Sequence, residues 1–493
     1  MTIQTSLGAA GAVLPARGVL IANRWRPAAT GRTIDVIAPA DGTVFAQIAA
    51  GGADDIDAAV RAARHAADKG AWGRMPAAER GRILYRLGRL VAENAAELVA
   101  LEARDTGKPM AQAKADIDAC ARYFEFYGGA GDKAHGETIP FLEGYFVATE
   151  REPYGVVGII IPWNYPAQMF GRAIGGALAA GNAAVLKPAE EACLTPLRLA
   201  ELAIQAGLPE GALNVVPGLG AEAGQALISH RQVDFLSFTG SPQVGTLVQS
   251  EAAKNHIPCT LELGGKSPQI VFEDADLEAA LPSLVKAIAQ NAGQTCSAGS
   301  RLLVQRSAYE RIVAAVAGRF AELTAGTPEM DRDLGPLISA RQRGRVEGFC
   351  QRAEADGIAL VATGRVAEGV PAGGHFVAPR LYGPVDPSHE LAQEEVFGPV
   401  LAIIPFEDEA DAVAIANGTD YGLIAGVWSK DASRAMRVAR KVRAGQVYVN
   451  CYGAAGGIEL PFGGVRKSGH GREKGMAALA DFTRMKTLVF KHD

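Results

Sequence analysis

Four things are missing from this 493-residue chain, and each absence closes off a class of function. There is no basic stripe: 49 Lys and Arg are interspersed with 54 Asp and Glu for a net charge of -5, so nothing favours a nucleic-acid partner. There is no long apolar run. The strongest stretches, 156–161 and 173–186, are short or broken by Gly and Asn, so no membrane anchor is expected. There is no close cysteine pair. Of Cys120, Cys193, Cys259, Cys296, Cys350 and Cys451, the nearest two stand 37 positions apart, which predicts free thiols in a reducing, cytoplasmic setting and no metal site. Finally, residues 1–19 lack a basic region followed by an apolar core, so they read as a loose arm rather than a secretory signal.

What is present is the composition of an α/β enzyme: 48% hydrophobic residues, 21% charged and 58 glycines, in a chain long enough for roughly two to four structural units. Residues 54–69 and 77–103 repeat apolar positions at helical spacing. The stretch 136–151 changes to aromatic and β-branched residues (Phe141, Tyr145, Phe146, Val147, Thr149) and predicts a projecting hairpin or pair of strands. Five short apolar runs at 156–161, 184–186, 213–216, 235–238 and 259–261 then alternate with helical segments, which implies a parallel sheet. A second alternation through 269–272, 277–291, 301–304, 309–323, 400–404 and 446–449 implies a second α/β unit.

The Gly-x-Gly-x-x-Gly dinucleotide fingerprint is absent; Gly218, Gly220 and Gly224 have the wrong spacing. Instead, Phe238-Thr239-Gly240-Ser241-Pro242-Gln243-Val244-Gly245 runs from a strand into a helix and offers a helix N-terminus to a pyrophosphate, or simply starts a helix. Cys296, in Gly293-Gln294-Thr295-Cys296-Ser297, is surrounded by small residues that would leave its sulfur open to substrate, although a lone cysteine is more often inert core. Glu262 ends an apolar strand before two glycines, where a partly desolvated carboxylate suits a general base or a pair with Lys266. Asn164 lies between Pro162 and Pro166, which would stiffen its amide as an oxyanion donor or an Asx turn.

These motifs, in this order, resemble the aldehyde dehydrogenase superfamily over nearly the whole chain. The likeness is carried by Pro162-Trp163-Asn164-Tyr165-Pro166, Lys187-Pro188-Ala189-Glu190, Phe238-Thr239-Gly240-Ser241, Leu261-Glu262-Leu263-Gly264-Gly265-Lys266-Ser267-Pro268, Gly293-Gln294-Thr295-Cys296, Glu394-Glu395-Val396-Phe397-Gly398-Pro399-Val400 and Pro461-Phe462-Gly463-Gly464. The resemblance implies two Rossmann-like parallel-sheet domains plus a small β oligomerisation element. The NAD-binding domain would comprise 1–130, 152–263 and 461–481, the catalytic domain 264–460, and the oligomerisation element 131–151 with 482–493, giving a homodimer or homotetramer.

By the same likeness Cys296 attacks a small aldehyde, Asn164 and the Cys296 N–H hold the oxyanion, hydride passes to NAD, and Glu262 activates the water that releases a carboxylic acid. Glu473 resembles a residue that helps relay protons, or forms a structural salt bridge to Arg472 or Lys474. Lys187 and Glu190 match positions at the adenosine ribose, where a carboxylate favours NAD over NADP. Gly220 lies beneath the adenine, Gly240, Ser241 and Gly245 belong to the pyrophosphate turn, Ile161 and Trp163 line the crevice, and Glu395 with Phe397 hold the nicotinamide side. Substrate choice falls to Gln168, Met169, Arg172, Thr295, Ser297 and the loop from Cys451. Arg172 is expected to grip a distal carboxylate, which points to a semialdehyde or other polar aldehyde; aliphatic, aromatic and betaine-type aldehydes remain alternatives. A catalytically inactive structural member of the family is the competing class, and intact Asn164, Glu262 and Cys296 stand against it.

Overall fold

A computed structural model describes residues 14–453 and 456–492. The apolar runs become two large sheets, each with its own core. In the first, of eight strands, the order across the sheet is Gly469–His470, Cys259–Glu262, Phe235–Thr239, Val156–Ile161, Ala183–Pro188, Leu213–Val215, Val19–Ile21 and Arg24–Arg26. The five central strands are parallel and nearly continuous in hydrophobicity because helices cover both faces. Chain order reverses beside Val156–Ile161: the next strand, Ala183–Pro188, lies on one side and Phe235–Thr239 on the other. Loops leaving the carboxyl ends of Val156–Ile161 and Phe235–Thr239 therefore diverge and open a crevice, the usual ligand position in such sheets.

The second sheet has seven strands in the order Leu360–Thr363, Arg380–Tyr382, Val400–Phe406, Arg301–Gln305, Pro268–Val271, Ile424–Trp428 and Gln446–Val449, with only the first antiparallel. Strands Ile424–Trp428 and Arg380–Tyr382 escape the sequence reading. Glycine interrupts the first and the second is three residues long, so neither has a clear period.

The expected hairpin at 136–151 is one long strand, Tyr145–Pro153, paired antiparallel along its whole length with Thr483–Lys491. Its other arm shrinks to a single bridge between Thr138 and Ala148, since Pro140 has no N–H to extend the ladder. The loose arm also needs correction: Leu14–Arg17 forms a parallel strand on Val44–Ala49, and Val19–Ile21 joins the first sheet, while 1–13 lie outside the described residues. Among the described residues no helix is long and apolar enough to cross a membrane, and all six cysteines are free.

Candidate active site

Three segments converge at the mouth of the crevice. Asn164 follows the strand Val156–Ile161 and precedes the helix Pro166–Ala180, whose first residue is proline, so the turn between them is short and stiff. Its Nδ2 donates to the Gln294 carbonyl at 2.9 Å, while Asn291 Nδ2 donates back to the Asn164 carbonyl at 2.9 Å. One amide hydrogen of Asn164 is left for a substrate oxygen. The turn before Cys296 is strained: Asn291, Ala292 and Gly293 all have positive φ, of 51°, 52° and 72°. At Gly293 a Cβ would stand 2.1 Å from the Gly398 carbonyl oxygen, so only glycine fits.

Cys296 is half-buried and packs against the small apolar cluster of Leu423, Ile424 and Phe462. Gly265 makes this approach possible, because a Cβ there would lie 2.5 Å from the Cys296 carbonyl oxygen. The two glycines after Glu262 thus serve close backbone packing: at Gly264 a Cβ would collide with the Glu395 carboxylate at 2.3 Å. Burial pushes the Cys296 thiol up to about 12, the Glu262 carboxylate adds to the shift, and Arg172 opposes it. The resting group is therefore a thiol.

Glu262 is buried, and among the described residues neither of its oxygens accepts a well-aligned hydrogen bond. Burial is the largest influence on its carboxyl; Arg172 pulls down and Glu473 pushes up, leaving it at about 8. Its ion pair is with Arg172, at 3.3 Å, rather than Lys266. Glu473 likewise pairs with Arg172, and its Oε1 accepts from Thr239 Oγ1 at 3.5 Å; neither Arg472 nor Lys474 is its partner. Arg172, expected to grip a substrate carboxylate, is instead 3% exposed, with two protein carboxylates at its guanidinium and the Phe462 ring 4.7 Å away. Burial works against its charge, but Glu473 and Glu262 outweigh this and hold the group above its ordinary value.

Of the other residues assigned to substrate choice, Gln168 is tied to Asp116 by a 2.6 Å hydrogen bond and Met169 is 6% exposed. The Thr295 hydroxyl meets Tyr165 Oη at 2.9 Å, the Ser297 carbonyl accepts from Tyr452 Oη at 2.9 Å, and Cys451 is exposed. Sequence reasoning passed over a buried support beneath this loop. Lys108 sits among Asp116 (2.5 Å), Glu102 (3.4 Å) and the Tyr165 ring (4.1 Å), and Tyr165 carries the contact to Thr295. Nothing local marks Lys108, since its partners come from separate helices and a loop.

The crevice suits a dinucleotide. Ser241 caps the helix Pro242–Asn255, its Oγ accepting from the Val244 N–H at 3.4 Å, and Gly245 leaves that first turn bare where a Cβ would stand 2.6 Å from Leu263. The Gly240 N–H is already used, donating to the Glu262 carbonyl at 3.0 Å, and so ties the turn to the strand that carries Glu262. Lys187 and Glu190 pair at 2.5 Å, and Glu190 also accepts from the Gly220 N–H at 3.2 Å. Burial would raise the Glu190 carboxyl, but Lys187 holds it below the usual range. Gly220 faces open space: a Cβ there would meet nothing within 4 Å. Ile161 closes the central strand, Trp163 and Phe397 meet edge to face at 5.4 Å, and Glu395, pushed up to about 7 by burial, accepts from the Gly265 N–H at 2.9 Å.

Known proteins resemble this chain in sequence and fold. Residues 25–488 match the model of the aldehyde dehydrogenase family. The mitochondrial aldehyde dehydrogenase of Equus caballus is 40% identical over 477 residues, covering 96% of this chain and 95% of that protein. A crystal structure from Burkholderia cenocepacia assigned to the aldehyde dehydrogenases superposes with a TM-score of 0.95 at 59% identity, covering 97% of this chain and all of the other. An NAD+ complex of aldehyde dehydrogenase from Bacillus cereus superposes at 0.93 with 39% identity, covering 96% of each chain. The chain belongs to the aldehyde dehydrogenase family.

Proposed function

We propose that the protein oxidises an aldehyde to a carboxylic acid with NAD, using Cys296 as nucleophile. The observation that carries this reading is the convergence of a thiol, a buried carboxylate without hydrogen-bond partners and an amide with a free N–H at the switch point of a parallel sheet. The Cys296 sulfur adds to the aldehyde carbon as its proton leaves for the Glu262 carboxylate. The new oxyanion lies between the Asn164 Nδ2–H and the Cys296 backbone N–H, which has no protein acceptor among the described residues. NAD bound in the crevice would accept the hydride. Once that proton has passed from Glu262 to solvent, the carboxylate removes a proton from water, the oxygen adds to the thioester, the C–S bond breaks, and the acid departs as the proton on Glu262 restores the thiol.

NAD rather than NADP follows from Glu190, which Lys187 keeps ionised beside the open space at Gly220: a carboxylate there binds ribose hydroxyls and repels a 2′-phosphate. Residues 1–130, 152–263 and 461–481 form the NAD-binding domain and 264–460 the catalytic domain in this reading. Residues 131–151 and 482–493 join copies into a homodimer or homotetramer in a reducing, cytoplasmic compartment. For substrate, a semialdehyde or other polar aldehyde stands first, but not through Arg172, whose charge Glu262 and Glu473 occupy. Phe462 in the cluster against Cys296, with Tyr452 beside it, favours an aliphatic or aromatic aldehyde as the second reading. NADH absorbance, followed with NAD and NADP on succinic semialdehyde, betaine aldehyde and benzaldehyde, tests both. Absence of turnover with every aldehyde despite NAD binding would instead support an inactive binding protein.

A further inference from the structure

Lys474 sits where a lysine is conformationally costly. Its φ of 64° and ψ of 162° fall in a region that essentially only glycine occupies without strain. Both flanks hold it there. Glu473 exchanges two backbone hydrogen bonds with Phe462, at 2.6 and 2.7 Å, and the Gly475 N–H donates to the Ile458 carbonyl at 2.8 Å. Glycine would relieve the strain, so the side chain must be what the position supplies.

That side chain turns toward the chemistry. Its Nζ lies 4.9 Å from the centroid of Phe462, in the cluster against which Cys296 packs, and donates to the Gly456 carbonyl at 2.9 Å, in the loop that follows Cys451. Among the described residues it forms no ion pair, whereas the neighbouring Arg172 is matched by Glu262 and Glu473. Burial lowers the Lys474 amine to about 8, with Arg172 adding to the shift while Cys296, Glu262 and Glu473 oppose it. The residue is thus a partly desolvated cation with one neutral partner and unused donor capacity.

We infer that Lys474 is a specificity-determining residue: its ammonium, between Phe462 and the Gly456 carbonyl, receives an anionic group at the distal end of the aldehyde. This deepens the proposed reaction by naming the substrate class, aldehydes bearing a carboxylate, and moves the task expected of Arg172 to another element. An ammonium–carboxylate contact in a partly desolvated site is charge-assisted and discriminates strongly against an uncharged analogue.

Two measurements test it, one independent of turnover. In the first, site-resolved mass spectrometry follows alkylation of Cys296 by iodoacetate and by iodoacetamide, reagents of similar size that differ in charge. The ratio of the two rates is expected to fall about tenfold or more in Lys474→Gly, a variant that relieves backbone strain, and to persist in Lys474→Arg. In the second, kcat/KM for succinic semialdehyde relative to pentanal is expected to fall by a similar factor in Lys474→Gly. Ratios unchanged in that variant overturn the assignment. If the parent protein oxidises neither aldehyde while its alkylation ratio still depends on Lys474, the reaction reading fails and the anion subsite stands.

Discussion

Glu262 and Cys296 are set against each other by burial. Both are pushed toward their neutral forms, to about 8 and about 12, so at neutral pH most Glu262 is protonated and cannot accept a proton. In the proposed reaction only the carboxylate acts as base, so hydrolysis of the acyl-enzyme should accelerate as pH rises through about 8, as stopped-flow decay of that intermediate will read. Glu262→Gln should abolish the rise, lower steady-state kcat by roughly 10²–10⁴-fold and, because Glu262 also takes the thiol proton, slow the first turnover of NADH as well. Arg172→Leu leaves two carboxylates without their shared cation. Glu262 should then move further up, shifting the pH profile to higher pH, and urea unfolding should show a loss of about 3–5 kcal/mol. Cys296→Ala should still bind NAD by calorimetry while losing both dehydrogenase and esterase turnover.

At the scale of elements, the site depends on how closely backbone segments approach. Gly265 is a contact point between the segment after Glu262 and the nucleophile loop, and its Cβ would meet the Cys296 carbonyl at 2.5 Å. Gly265→Ala should displace that loop and lower kcat/KM about 10²-fold, with far-UV circular dichroism unchanged. Beneath the loop, Lys108 joins the helices Ala95–Thr106 and Met110–Ala130, which carry Glu102 and Asp116, to Tyr165 before the helix Pro166–Ala180. Removing its charge in Lys108→Met leaves two buried carboxylates unpaired, and a loss of about 3–5 kcal/mol in chemical denaturation is expected. The crevice itself was readable from the alternation of five apolar runs. The two glycine contacts were readable only as motifs, because what each glycine avoids lies 31 and 105 positions away, at Cys296 and Gly398.

At the scale of the molecule, the two-stranded ribbon of Tyr145–Pro153 and Thr483–Lys491 leaves apolar side chains uncovered. It exposes Phe146 (50%), Met485 (60%), Val489 (57%) and Phe490 (56%). An edge this apolar favours burial against a second copy. Phe490→Asp with Val489→Asp should lower the mass seen by sedimentation velocity without changing secondary structure; an unchanged mass would remove the ribbon from the assembly proposal. The resemblance assigned 131–151 and 482–493 to one element, and the pairing joins 145–153 to 483–491 because its register continues without interruption once both strands are in place.

Local chemistry in the sequence determined the α/β class and the five-strand alternation, and marked Cys296, Asn164 and Glu262 as candidates for the proposed nucleophile, amide donor and base. Strand period, glycine placement and the order of motifs are encoded within a few residues of one another. Only the tertiary structure decided which charges meet. It gave Arg172 to Glu262 and Glu473 rather than to a substrate, buried Lys108 under the nucleophile loop, and turned Lys474 toward Phe462. Such pairings join residues up to 301 positions apart, as in Arg172 and Glu473, and their sign and strength depend on burial, which no local pattern specifies.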